Sequence, residues 1–227
     1  MRLIPMARQT PPPFIDEADL NNSVADTQNI AAGIALPIYQ EIRLNNTVLN
    51  TDSVKRYLAR ASRIALMPCS CRTKRGPCQH SIDTCLTLND AAEMFIENGS
   101  AREITAEEAL RVVEEAHRSG LVPMAYTRTD TPDPQGVNFI CNCCSCCCGP
   151  LGVTLKLGKQ VHLLKSIATT TTDTSKCVSC GACVDRCHFG ARKLVDGKLE
   201  YDKDLCFGCG LCATACPTQA ITLIQLL

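Results

Sequence analysis

Cys177-Val178-Ser179-Cys180-Gly181-Ala182-Cys183-Val184-Asp185-Arg186-Cys187 and Cys206-Phe207-Gly208-Cys209-Gly210-Leu211-Cys212-Ala213-Thr214-Ala215-Cys216-Pro217 are two copies of one pattern, offset by 29 positions. Each copy puts three cysteines into seven residues and a fourth four residues further on. The offset carries other residues with it, Gly181 onto Gly210 and Ala191 onto Ala220. This is an internal repeat of one supersecondary unit. A single Cys-x-x-Cys serves zinc, redox chemistry or nothing at all, but two complete runs in register do not arise by chance. Structural zinc uses two separated Cys-x-x-Cys pairs, so the crowding disfavours it. A disulfide framework needs an oxidising compartment, and nothing in the chain points to one.

The spacing is that of thiolates on cubane iron–sulfur clusters. Each iron of a cubane accepts one thiolate, so four cysteines must converge on one small volume. Residues 165–227 resemble a bacterial-type ferredoxin with two [4Fe-4S] clusters. In that family the fourth cysteine of each run ligates the other cluster. The resemblance therefore implies one cluster on Cys177, Cys180, Cys183 and Cys216, and a second on Cys206, Cys209, Cys212 and Cys187. It also implies a (βαβ)2 fold. The local sequence is compatible. Gly181, Gly208 and Gly210 supply the backbone freedom that tight metal loops need. Residues 193–195 and 198–201 flank Asp196-Gly197, a two-residue hairpin turn. Residues 221–226 are expected to pair with 167–172. His188 stands where many relatives carry proline after the fourth cysteine, whereas Cys216 keeps its Pro217. His188 reads as a solvated surface side chain, the alternative being a proton-linked tuner of the neighbouring cluster.

Composition bounds the rest. The chain has 227 residues, with 23 Lys and Arg against 23 Asp and Glu. That balance supplies no field for nucleic acid or an anionic membrane surface. Tryptophan is absent and aromatics are few, while cysteines number 18. Metal, more than a large apolar core, is expected to organise much of the fold. Pro5 and two arginines break the first eight residues, so no secretory leader or twin-arginine address is read there. No run approaches the apolar length of a membrane span. The expectation is a cytoplasmic protein in a cell that keeps thiols reduced and excludes oxygen.

Three parts are expected: an N-terminal arm over 1–50, a helical cysteine-rich module over 51–158, and the ferredoxin domain over 159–227. The fold class is α+β, with the small helical module preceding a (βαβ)2 domain. Pro11-Pro12-Pro13 and the polar stretch 21–29 mark the arm as lacking its own core. A first helix is expected from an Asp52 or Ser53 cap to about Ile64, ended by Pro68, with Val54, Leu58, Ala61 and Ala65 on one face. A second runs from an Asn89 cap to Gly99, burying Ala92, Phe95 and Ile96. The third has a capping box in Thr105 and Glu108 and a stop at Gly120, with Leu110, Val113 and Ala116 facing the core. Residues 130–136 form a proline-rich loop. Residues 151–165 are a connector, helix or strand.

Ten cysteines lie outside the repeat. Cys69, Cys71, Cys78 and Cys85 are spread out. Cys141, Cys143, Cys144, Cys146, Cys147 and Cys148 are packed into eight positions. Ten thiols can hold two more cubanes with two left over, one cubane with six left over, or a cluster of unusual composition. In an extended segment alternate side chains point to opposite faces, so Cys144, Cys146 and Cys148 would face one way and Cys143 and Cys147 the other. One face would complete a cluster begun by Cys69, Cys71, Cys78 and Cys85. Zinc on those four cysteines is the rival, although Cys69-x-Cys71 is tighter than the usual zinc knuckle. His80 is either a substitute ligand or an exposed side chain. Arg72, Lys74 and Arg75 offset cluster charge, steer an acidic partner, or form a solvated loop. From Pro68-Cys69-Ser70-Cys71-Arg72 through Cys85-Leu86 to the six-cysteine run, residues 60–150 resemble a cysteine-rich module that precedes ferredoxin domains in proteins of anaerobes. That resemblance implies iron–sulfur content and names no substrate.

The leading functional reading is electron transfer through several clusters, in a subunit docked to an anaerobic oxidoreductase or another redox carrier. The alternative is a reductase whose active cluster or thiols lie at Cys141–Cys148, fed by the ferredoxin domain. A third class is an iron or redox sensor, unsupported by any DNA-reading helix. No flavin, nucleotide or hydrolase motif assigns a catalytic residue.

Overall fold

The computed structural model describes residues 46–76, 78–127, 137–157 and 163–226. The proline-rich stretches at 11–13 and 130–136 and the polar stretch 21–29 lie outside the described residues. The end of the expected arm does belong to the core. Asn46–Val48 is strand β1, and Val48, Leu49 and Asn50 are buried.

Helix α1 spans Thr51–Arg60, capped by the Asn50 side chain, which accepts the Ser53 N–H at 2.9 Å. It ends four residues before the expected Ile64. The apolar run Ile64–Pro68 is instead strand β2. A short continuous apolar run carries no periodicity that separates buried strand from helix. Helix α2 (Ser70–Arg75) follows, then β3 (Asp83–Leu88), α3 (Asn89–Glu97) and β4 (Arg102–Glu103). In α3 the fully buried residues are Ala91 and Ala92, while Phe95 and Ile96 are half-buried. Helix α4 spans Ala106–Arg118. Thr105 Oγ1 accepts the Glu108 N–H, but the Glu108 carboxylate turns away to Arg102 at 2.6 Å, so the capping box is half formed. Gly120 takes φ +98, and the Leu121 N–H closes the helix end on the Ala116 carbonyl. Strands β5 (Val122–Tyr126) and β6 (Phe139–Cys143), helix α5 (Gly149–Leu157) and strand β7 (Leu163–Leu164) complete this region.

The sequence reading of a helical module is corrected here. The strands form a seven-stranded sheet in the order β4-β2-β3-β6-β5-β1-β7, antiparallel except for β1 against β7. Helices α1 and α4 pack together over it. Leu49, Val54, Leu58, Leu86, Leu88, Val113, Ala125 and Ile140 form the core on that side. Neighbours in sequence point the other way. Val48 and Met124 join Val122, Cys143, Cys148 and Leu151 in a second apolar cluster that also takes in Leu211.

The C-terminal part runs β8 (Ala168–Thr172), α6 (Ala182–Asp185), β9 (Arg192–Val195), β10 (Lys198–Tyr201), α7 (Leu211–Ala215) and β11 (Ile221–Gln225). The expected pairings form: β8 with β11, and β9 with β10 across Asp196-Gly197, both at positive φ. All described residues fall in one compact unit from Arg43 to Leu227. No helix among them is long and apolar enough to cross a membrane.

Candidate metal centres

Each cysteine run bends through a left-handed glycine into a short helix, Gly181 at φ +81 before α6 and Gly210 at φ +84 before α7. These turns bring three thiols of each run to one side. Cys177, Cys180, Cys183 and Cys216 line one recess. Cys187, Cys206, Cys209 and Cys212 line another. The fourth cysteine of each run faces the other run's recess, and the soft thiolate donor set with N–H···S bonds suits iron–sulfur clusters. The Gly208 N–H points at Cys206 Sγ (3.4 Å) and the Ala220 N–H at Cys216 Sγ (3.2 Å). Such bonds stabilise charge on ligand sulfur. Burial pushes the Cys209 thiol up to about 12. A bound metal ion is what makes such a buried thiol a thiolate at neutral pH.

Sequence reasoning missed Arg192. It is 2% exposed, donates to Thr170 Oγ1 (2.8 Å) and Thr172 Oγ1 (2.9 Å), and lies over the Tyr201 ring. Burial raises the pKa of both Cys183 and Cys212, and the Arg192 charge opposes that rise at each. One guanidinium thus serves a thiol from each recess. His188 is not a solvated side chain. It is half-buried and its Nε2 meets the Gly120 carbonyl at 2.8 Å.

The ten remaining cysteines divide four and six. The Sγ atoms of Cys78, Cys144, Cys146 and Cys147 lie within 4.8 Å of one another. The other six form an arc of interacting thiols, running Cys141, Cys85, Cys69, Cys71, Cys148, Cys143. The ladder between β3 and β6 explains part of this. Leu86 opposes Ile140 on the core side, so Cys85 and Cys141, one step along, face the opposite side. The expected grouping is corrected in two ways. Cys78 leaves Cys69, Cys71 and Cys85, so the four do not form a closed zinc site. The chain is extended only to Cys143 and then turns at 145–147, so strict alternation fails. Cys147 joins Cys144 and Cys146, while Cys148 returns to Cys71 and Cys143.

Of the three cations beside Cys71, Arg72 alone is buried, at 3% exposure. Its guanidinium donates to the Asn142 carbonyl (3.0 Å), contacts Thr84 Oγ1, and reaches Cys144 Sγ at 3.9 Å. It also interacts with the charges of Cys69 and Cys85. Arg72 therefore stands between the four-thiol and six-thiol groups, as Arg192 stands between the two recesses. Among the described residues its buried Nε–H has no hydrogen-bond partner. His80 is half-buried but is not among the gathered ligand atoms. Tyr126, also unforeseen, places its hydroxyl 3.6 Å from Cys143 Sγ and 3.8 Å from Cys148 Sγ. Burial and the neighbouring thiols raise its pKa well above the ordinary value, keeping it an O–H donor.

A 4Fe-4S binding domain family matches residues 170–193 and 199–222. The pyruvate synthase subunit PorD of Methanothermobacter marburgensis is 43% identical over 49 residues, 22% of this chain and 57% of that protein. Hydrogenase-4 component A of Escherichia coli is 34% identical over 86 residues, 36% of this chain and 41% of that protein. The chain thus spans little more than half, or less, of those two relatives. An uncharacterized ferredoxin of Methanocaldococcus jannaschii is 43% identical over 53 residues, 22% of this chain and 69% of that protein. The segments that the family matches carry both cysteine runs, and by the identity and coverage of the Methanocaldococcus ferredoxin the chain belongs to the 4Fe-4S ferredoxins.

Proposed function

We propose that this protein passes single electrons along a row of iron–sulfur clusters, docked on an anaerobic oxidoreductase in the reducing cytoplasm. In this reading residues 159–227 are a (βαβ)2 domain holding two cubanes on the crossed quartets. Residues 51–158 carry at least one further cluster on Cys69, Cys71, Cys85, Cys141, Cys143 and Cys148. Outer-sphere transfer needs no proton donor or nucleophile; the chain must fix spacing, exclude water and set potentials through hydrogen bonds to sulfur.

One observation carries the reading. Cys209, of the second recess, packs with Phe207 and Leu211 into the apolar cluster that contains Cys143 and Cys148 of the six-thiol arc. Two ligand sets share one apolar wall. The first recess, where Cys180 is exposed, is the entry or exit port in this reading. The relatives named as a pyruvate synthase subunit and a hydrogenase-4 component support a docked role rather than free diffusion.

The test is a count. Full-length protein isolated without oxygen should hold iron and sulfide for three or more cubanes, about twelve of each. Its reduced EPR spectrum should be broadened by coupling between neighbouring clusters. About eight irons with uncoupled signals would remove the passage through the module and leave a two-cluster ferredoxin. The six-thiol set, two more than one cubane uses, favours a second reading in which this cluster reduces a small molecule; a spectral change on adding candidate substrates would support it.

A further inference from the structure

We infer that Cys78, Cys144, Cys146 and Cys147 form a third kind of site, a mononuclear centre in which four thiolates share one divalent ion, zinc or iron. The argument is one of size. In a tetrahedral site with metal–sulfur bonds of about 2.3 Å, the sulfurs stand about 3.8 Å apart. Here Cys78 and Cys144 Sγ are 3.8 Å apart, Cys146 and Cys147 Sγ are 3.7 Å apart, and all four lie within 4.8 Å. Thiolates on a cubane cap separate irons at its corners and must stand wider than thiolates on one ion.

The same molecule supplies the contrast. Among the described residues this quartet is the group of ligand atoms so gathered. The thiols of the two ferredoxin quartets instead line open recesses and are not gathered within that distance. A chain that opens two quartets for cubanes and closes a third is built for two sizes of guest.

The surroundings suit a dianionic tetrathiolate. Arg72 Nη1 lies 3.9 Å from Cys144 Sγ, and Arg75 Nη1 donates to the Cys147 carbonyl at 2.7 Å. Cys144 and Cys147 are buried while Cys78 and Cys146 are half-exposed, which leaves an edge for the ion to enter. Ala116 and Leu121 pack against the buried pair. Four protein ligands close the coordination sphere, so the site has no open position for substrate. Binding releases the thiol protons and involves no change of oxidation state. Its consequence is a cross-link between the loop at Cys78 and the turn at 144–147. That link fixes the entry of the six-thiol arc from both sides.

The experiment uses the full chain purified without oxygen, with zinc, iron and sulfide counted per molecule. Cys78→Ser and Cys146→Ser should each release one zinc, or one iron, with sulfide unchanged. Loss of several irons together with sulfide, or no loss in either variant, overturns the inference. Protein from cells grown with cobalt guards against a variant that fails to fold. Wild-type protein should then show the ligand-field bands of tetrahedral cobalt thiolate, and their absence counts against the site. Sulfide reports the clusters and the sulfide-free ion reports this centre, so this site and the electron-transfer reading fail separately.

Discussion

At the scale of the residue, the least expected feature is a pair of buried arginines that share one design. Among the described residues neither Arg72 nor Arg192 pairs with a carboxylate, and the charge of each acts on thiols of two separate sites. A buried guanidinium without an anion is costly, so the thiolates themselves must supply the compensating charge. The electrostatic consequence is testable at Arg192. A unit charge roughly 8 Å from a cluster, at an effective dielectric of about 20, is worth about 2 kcal/mol. Arg192→Met should move both ferredoxin-type midpoint potentials in the negative direction, since the reduced clusters lose a cation that stabilises them. Arg192→Lys should restore most of the shift. Redox titration followed by EPR reads both clusters at once, and unchanged potentials would reduce Arg192 to a tether for Thr170 and Thr172. The eight repeat cysteines were legible because their spacing is a local property. Arg192 and Tyr126 were not, because their role exists only after strands distant in sequence are brought together.

At the scale of the element, legibility followed the strength of local signals. Helix α4 announced itself through Thr105, an amphipathic stripe and Gly120. Strand β2 did not, because Ile64–Pro68 is a short apolar run without alternation, and β3 did not, because Asp83, Thr84 and Thr87 interrupt its apolar residues although Thr84–Leu88 are all buried. The six-cysteine run was misread for a related reason: its alternation holds while the chain is extended and ends at the turn after Cys143. The glycines of the cysteine loops take the positive φ expected of them at 181, 208 and 210, and Gly208 shows why one is irreplaceable. It sits at φ +68, and a Cβ there would collide with the Ala168 backbone carbonyl. Gly190 has a similar φ of +66 but open space around it. Gly190→Ala should therefore cost only the left-handed penalty, about 1–2 kcal/mol. Gly208→Ala should cost clearly more, because β8 would have to move away from the Cys206 loop. Chemical denaturation and iron content read the difference. Equal losses in the two variants would show that the carbonyl yields cheaply.

At the scale of the whole molecule, the end of helix α4 fastens the two cysteine-rich halves together. His117 Nε2 meets the Cys209 carbonyl at 2.9 Å and its Nδ1 meets Thr214 Oγ1 at 3.1 Å. Arg186 donates to the Arg118 carbonyl at 3.0 Å, and His188 reaches Gly120. Burial lowers the His117 pKa, and the Arg186 charge adds to that effect. The ring is thus neutral, its Nε2–H donating to the carbonyl while the Thr214 hydroxyl donates to Nδ1. None of this was readable from sequence, where His117 is a polar residue in the last turn of a helix. His117→Phe keeps the ring's bulk and removes both hydrogen bonds, leaving the Cys209 carbonyl without its donor. The expected loss is about 1–3 kcal/mol, with iron and sulfide contents unchanged because no ligand is touched. If this seam sets the distance between the second recess and the six-thiol arc, electron passage between them should slow in the variant while both potentials hold. Rapid-freeze EPR after a reductant pulse separates the two halves in time. A variant less stable but equally fast would place the electron's path through the apolar wall of Phe207, Cys209 and Leu211 alone, with the histidine acting only as a fastener.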